Sequence, residues 1–193
     1  MHNVNPAAKN KPSGESLPNG QNVVSQQLVP HFTPASDVIR PRFCRQLMKK
    51  ANGYVFSYHF NIRIYLQCAR GERRKKPRVE LLQAINSLLQ GMCFYYNPLT
   101  NGVDRSVSQL ANECGLTSTS ASGAVSISRA SRTLQALENE FGFIVCDLSV
   151  PRQNASRFYF TPAFFEALRV SPDHLRAARV KSERLQKRRG ALL

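Results

Sequence analysis

After Pro77 the apolar residues Leu81, Leu82, Ile85, Leu88, Leu89 and Met92 recur every three or four positions, the best-formed stripe in the chain. That period belongs to one face of an α-helix and predicts the main core helix. Pro77 suits its first turn, where a missing N–H costs nothing. Gly91 weakens its last turn, and Asn97-Pro98 stops it.

The same period returns twice further on. Ser106 and Gln109 have the spacing of a capping box, and Val107, Leu110, Ala111 and Cys114 then form a short helix that ends at Gly115-Leu116. From Ser126 to Glu138, Ile127, Ala130, Leu134 and Leu137 share one helical face, while Ser128, Arg129, Arg132 and Thr133 lie around the other. Between these two helices, residues 117–125 are almost entirely Thr, Ser, Ala and Gly. They predict a long turn, whose small hydroxyls and amides suit phosphate as well as they suit a plain flexible loop.

Two short alternating runs follow, Phe141 to Cys146 and Arg157 to Thr161, separated by the turn residues Pro151, Arg152 and Asn154. Two strands joined by a basic loop directly after an amphipathic helix predict a wing. Thr161-Pro162 opens another helix through Phe164, Phe165 and Leu168, and Ser171-Pro172-Asp173 opens a last one that is rich in Arg and Lys and projects. The expected fold is α+β and mostly helical: a winged helix-turn-helix with an N-terminal helical extension and a disordered N-terminal arm.

The N-terminal third is less regular. Residues 1–38 are rich in Asn, Pro, Ser, Gln and Gly and lack a sustained period, which predicts the disordered arm. Phe43, Leu47 and Met48 give a short helix a narrow apolar side, surrounded by Arg40, Arg42, Arg45, Lys49 and Lys50 and stopped at Asn52-Gly53. From Tyr54 to Cys68 the residues alternate as a strand would, over a length that is long for one. A strand and a helix both remain open there. The expected organisation is an arm over 1–38, a basic helical region packing on the winged helix over 39–100, the winged helix-turn-helix over 101–170 and a basic C-terminal helix over 171–193.

Charge changes this picture from a fold to a partner. The 193 residues carry 27 Lys and Arg against 12 Asp and Glu, a formal charge of +15. A field of that sign draws polyanions, nucleic acid before acidic membranes. Ala69 to Arg78 is the densest charge run, and it reads as either a solvated loop or a phosphate contact. The five cysteines are scattered singly, without the spacing of a zinc site, and are expected to be reduced in the cytoplasm. No apolar run is long enough to span a bilayer.

Catalysis has no constellation to rest on. There is no phosphate-binding GxxxxGK[ST] loop, no HExxH and no paired carboxylate motif, and the four histidines, at 2, 31, 59 and 174, are far apart in sequence. The expectation is a protein that is not an enzyme and uses no cofactor, metal or small-molecule substrate.

Four phrases carry a resemblance: Phe43-Cys-Arg-Gln-Leu-Met-Lys-Lys-Ala51, Leu88-Leu-Gln-Gly-Met-Cys-Phe-Tyr-Tyr-Asn-Pro-Leu99, Leu110-Ala-Asn-Glu-Cys-Gly-Leu116 and Ser126-Ile-Ser-Arg-Ala-Ser-Arg-Thr-Leu134. Through them the body of the chain resembles the RepA replication initiators of IncFII-type and related IncL/M plasmids. The resemblance implies binding at a plasmid origin, initiation of plasmid DNA synthesis with host replication proteins such as DnaA or helicase-loading factors, and copy number set by the amount of initiator. Members of that family tend to continue beyond the point where this chain stops, so replication is expected to need a tail that DNA binding does not.

Within that expectation, Ser128, Arg129, Arg132 and Thr133 are the candidates for reading base edges in the major groove of double-stranded DNA. Ser126 and Ser131 are candidates for the backbone, and Arg152 for the minor groove. Arg45, Lys49, Lys50, Arg73, Arg74, Lys75, Lys76 and Arg78 would supply sequence-independent phosphate contacts. A salt bridge to Glu138 or Glu140 is the alternative use of Arg132. The rival functions are a winged-helix transcriptional repressor and an RNA-binding module with Tyr54, Tyr58 and Tyr65 as stacking platforms.

Overall fold

A computed structural model describes residues 29–34, 38–120, 122–147 and 158–190. In chain order, helix α1 (Arg42–Ala51) leads through a 3-10 turn (Tyr54–Phe56) to α2 (Tyr58–Ala69) and α3 (Val79–Phe94). A tight hairpin of β1 (Tyr96–Asn97) and β2 (Gly102–Val103) precedes α4 (Val107–Glu113). A second small hairpin, β3 (Ser118–Thr119) with β4 (Val125–Ser126), joins it to α5 (Ser128–Gln135), which runs on as a π-helical turn (Ala136–Glu140). Strands β5 (Ile144–Cys146) and β6 (Phe158–Phe160), then α6 (Pro162–Ala167) and α7 (Pro172–Gly190), complete the described elements.

Helix α3 is the axis of the core, as its apolar stripe requires. Ala84, Ile85, Leu88, Leu89, Met92 and Cys93 are buried, and α1, α4 and α5 all pack against the helix. Gly91 has a reason to be glycine, because a Cβ there would come within 2.9 Å of the Cys114 sulfur and 3.2 Å of the Phe32 ring. Ser87 and Cys114 exchange hydrogen bonds, each side chain donating to the other's carbonyl, so the buried hydroxyl is satisfied and α4 is locked to α3. The first helical residue is Val79 and Pro77 stands just outside the helix, which starts two residues later than expected.

The four-stranded antiparallel sheet has the order β1-β2-β6-β5, with Gly102 opposite Tyr159 and Ile144 opposite Phe160. Its inner face meets α6 through aromatic rings, and Phe160 stacks on Phe164 with centroids 4.1 Å apart. Helix α6 begins as its sequence predicts, with the Thr161 hydroxyl accepting from the Phe164 amide and Pro162 in the first turn. On α7 Leu175 packs against the core and Ala178 is buried, whereas most residues from Arg179 to Arg188 are exposed.

Residues 54–68, open between strand and helix in the sequence, are helical. Ser57 caps α2 by accepting from the Phe60 amide, and the buried positions Phe60 and Ile64 are four apart. The alternation misleads because Ile62 and Leu66, which a strand would turn inward with Phe60 and Ile64, are exposed on the far side of the helix.

The arm needs a correction over its last part. Pro30 is buried, Phe32 packs its ring 5.5 Å from Phe94 and 6.2 Å from Tyr95, and the Thr33 amide donates to the Glu113 carbonyl at 3.0 Å. One aromatic side chain with a pocket to fill outweighs the polar composition around it. The rest of the expected arm, residues 1–28 and 35–37, lies outside the described residues.

Candidate nucleic-acid interface

Helix α5 divides as its pattern demands, with one reassignment. Ala130, Leu134 and Leu137 are buried and Ile127 is half-buried, which fixes the helix on α3 and α4. Ser128, Arg132, Gln135 and Asn139 are exposed. At 3.6 residues per turn these four fall on a single outward line, with Ser131 and Arg129 half-buried on its flanks.

Thr133 does not belong to that line. It is 1% exposed, and its hydroxyl donates to the Arg129 carbonyl one turn back at 2.8 Å. That local bond satisfies the hydroxyl and lets the methyl group join the core. The assignment of Thr133 to base reading is therefore corrected. Gln135 stands on that line, a residue the sequence reading passed over although its wheel position lies beside Arg132. Its amide can pair with adenine in the two-point manner that a glutamine allows.

The alternative use of Arg132 is not realised among the described residues. The Glu138 carboxylate accepts from the Cys146 amide at 2.9 Å, and Glu140 is ion-paired with Arg73. Arg132 is left at the surface, where its guanidinium can reach outward.

The hairpin β3–β4 stands immediately before α5, where a plain turn was expected. Its amides are largely used within it: Ser120 and Ala124 are joined through their backbones, and the Ala124 amide also reaches the Ser120 hydroxyl. Ser126 is exposed, and its hydroxyl accepts from the Ser128 amide and lies 2.9 Å from the Ser128 hydroxyl. What the hairpin presents outward is a set of hydroxyl groups, from Ser118, Thr119, Ser120, Ser122 and Ser126.

The basic run after α2 is fastened to the end of the same helix. Gln67 donates to the Glu140 carbonyl at 2.7 Å, Arg63 donates to the Phe141 carbonyl at 2.8 Å, and Arg73 pairs with the Glu140 carboxylate. Arg73 also lies over the Phe141 ring and donates to the Lys75 carbonyl. It is an anchor with a side chain 17% exposed, unlike the free phosphate contact expected of it. By anchoring, it holds exposed Arg74, Lys75, Lys76 and Arg78 in one segment beside the π-helical turn that continues α5.

Arg45, Lys49 and Lys50 are exposed on α1. Lys50 donates to the Arg169 carbonyl at 2.8 Å, so this cluster is tied to the junction of α6 and α7. Arg152 lies outside the described residues.

Little else among the described residues offers chemistry. Burial pushes the Cys114 thiol up to about 12 and raises Cys44 and Cys93, which makes these sulfurs core groups and not nucleophiles. Among the described residues no group of His, Cys, Asp and Glu side chains could hold a metal ion, and no helix is long and apolar enough to cross a membrane.

Comparison with known proteins gives this surface a context. The profile of the IncFII RepA protein family matches residues 23–190. The chain is 42% identical over 154 residues to a replication initiation protein of Escherichia coli, covering 78% of this chain and 54% of that protein. It is 41% identical over 97 residues to a probable replication-associated protein repA2 of Buchnera aphidicola subsp. Baizongia pistaciae, covering 49% of this chain and 40% of the relative. A probable replication-associated protein repA1 of Buchnera aphidicola subsp. Acyrthosiphon pisum is 30% identical over 164 residues, 78% of this chain and 56% of the relative. The chain spans about half the length of the curated relatives it matches. No solved structure matches it.

Proposed function

The chain belongs to the IncFII RepA protein family, and from that premise we propose that it binds double-stranded DNA at a plasmid origin and acts in the initiation of plasmid replication. In this reading α4, the β3–β4 hairpin and α5 form a helix-turn-helix, and β5 with β6 forms the wing behind it. The single observation that carries the reading is the outward line of α5: Ser128, Arg132 and Gln135 are exposed, with no core duty and donors suited to base edges.

Affinity and specificity then divide between two surfaces. Arg132 and Gln135 discriminate bases, with Ser128 and Arg129 beside them, and each good two-point contact is worth about 1–3 kcal/mol. Lys75, Lys76, Arg74 and Arg78, fixed to the end of α5, neutralise phosphates without regard to sequence. The protein acts by binding and performs no chemistry on the DNA. Bound at the origin in the cytoplasm, it presents a site to host replication proteins such as DnaA or helicase-loading factors, and its amount limits copy number.

Nuclease footprinting of the full chain on the origin region of its plasmid tests this. The expected result is a discrete protected segment that survives competition by scrambled duplex at physiological salt. Uniform protection, or equal loss to unlabelled origin and to scrambled duplex, overturns the proposal.

A further inference from the structure

Helix α2 has two faces of unlike use. Phe60 and Ile64 are buried, and Tyr54, just before the helix, packs its ring 5.6 Å from Phe60. On the opposite face Tyr58 is 76% exposed and Tyr65 66%, with Ile62 and Leu66 also exposed. Tyr58 and Tyr65 stand two turns apart on the same side, about 10 Å along the axis. Two large rings left in water on one helix need an explanation, since aromatic area is normally removed from it.

The charge that continues from this face identifies the occupant. The chain leaves α2 directly into exposed Arg70, which lies 3.9 Å from the Glu72 carboxylate, and on into the exposed cations Arg74, Lys75, Lys76 and Arg78. The same segment is pinned by Arg73 and Gln67 to Glu140 at the end of the turn that continues α5. Rings that accept flat partners, next to a row of cations that accepts phosphates, match the two repeating chemistries of a single nucleic-acid strand. A second copy of this chain would bring another +15 against the same surface and is disfavoured by its own charge.

We propose that the outer face of α2, with Tyr58 and Tyr65 as stacking platforms and Arg70, Arg74, Lys75, Lys76 and Arg78 as the phosphate track, binds single-stranded DNA. The proposal rests on the duplex reading above for its setting, because opened DNA beside a bound duplex site supplies such a strand. The connection through Glu140 places this track next to the helix proposed to read the duplex, and its cations serve both forms in turn, holding duplex phosphates before opening and those of the strand on α2 after it.

The test uses the full chain and a labelled mixed-sequence DNA oligonucleotide of roughly 16 nucleotides, a length within known site sizes. Fluorescence anisotropy compares the wild type with the Tyr58→Ala/Tyr65→Ala and Tyr58→Phe/Tyr65→Phe double variants. Both positions are exposed, so circular dichroism should be unchanged. The alanine pair should weaken single-strand binding at least about tenfold, as loss of base stacking does. It should also leave duplex origin affinity within about twofold, and the phenylalanine pair should bind the strand as the wild type does. Any of four results overturns the inference: no single-strand binding by the wild type, unchanged binding by the alanine pair, a marked preference for RNA of the same sequence, or a wild-type dimer in sedimentation that the alanine pair dissolves. Failure here with intact origin discrimination removes only this inference, whereas loss of origin discrimination with retained strand binding removes the duplex reading instead.

Discussion

At the ends of α3 and of the π-helical turn, guanidiniums end on backbone carbonyls. Arg40 donates to the carbonyls of Phe94 and Tyr96, both at 2.8 Å, and Arg63 donates to Phe141. On the outer line of α5, Arg132 is exposed and neither of its nearby carboxylate candidates takes it up. The difference follows from where helices end. The last carbonyls of a helix have no partner within it, and where that end is buried, as at Phe94 and Tyr95, a long cationic side chain is an efficient donor. A mid-helix position facing water makes no such demand, so an arginine there is free for a partner. A formal charge of +15 therefore overstates the surface available to a polyanion, because Arg40, Arg63 and Arg73 are already employed inside the protein.

The contrast between inner and outer side chains can be broken most severely from within. Leu88 is fully buried on α3, and Leu88→Ala should lower the unfolding free energy by about 3–5 kcal/mol in urea denaturation. The protein that remains folded should still discriminate the origin. At the seam, Arg63→Ala leaves the Phe141 carbonyl without its donor and should destabilise by about 1–3 kcal/mol. An equal loss from Arg132→Ala would erase the distinction between the two kinds of arginine.

Gly91→Ala sharpens the packing side of the comparison. The added methyl group meets the Cys114 sulfur and the Phe32 ring, and the resulting cost of about 1–3 kcal/mol is partly offset by about 1 kcal/mol of helix propensity. A small net loss in thermal unfolding is expected, and a gain would mean that Phe32 gives way freely. On the outer side, Lys75→Ala/Lys76→Ala should leave unfolding unchanged and weaken origin and scrambled duplex alike. Its salt dependence should be shallower by about two phosphate contacts.

The legible parts of the fold were those set by one local rule. The stripe of α3, the capping box of Ser106 and Gln109, and the inward residues Ala130, Leu134 and Leu137 each follow from spacing alone, and each stands where spacing puts it. What escaped depended on a neighbour. Thr133 is buried because a carbonyl one turn back satisfies its hydroxyl, and Phe32 is ordered because Phe94 and Tyr95 receive it. Helix α2 was ambiguous because Phe60, Ile62, Ile64 and Leu66 alternate as in a strand, and only packing shows that Phe60 and Ile64 alone of these are buried. The outward line of α5 was visible at Ser128 and Arg132 and missed at Gln135 and Asn139. The clamp of Arg73 on Glu140 joins residues 67 positions apart, which no local pattern reports.

The central claim is that the outer line of α5 reads DNA and has no part in holding the fold. Competition binding of Arg132→Ala and Gln135→Ala, each against origin and scrambled duplex and each paired with a urea unfolding curve, tests it directly. The account predicts that the ratio of origin to scrambled affinity falls about tenfold or more in Arg132→Ala, and measurably in Gln135→Ala, with unfolding midpoints unchanged. An unchanged ratio in both variants, or a ratio that falls only in step with lost stability, would contradict it.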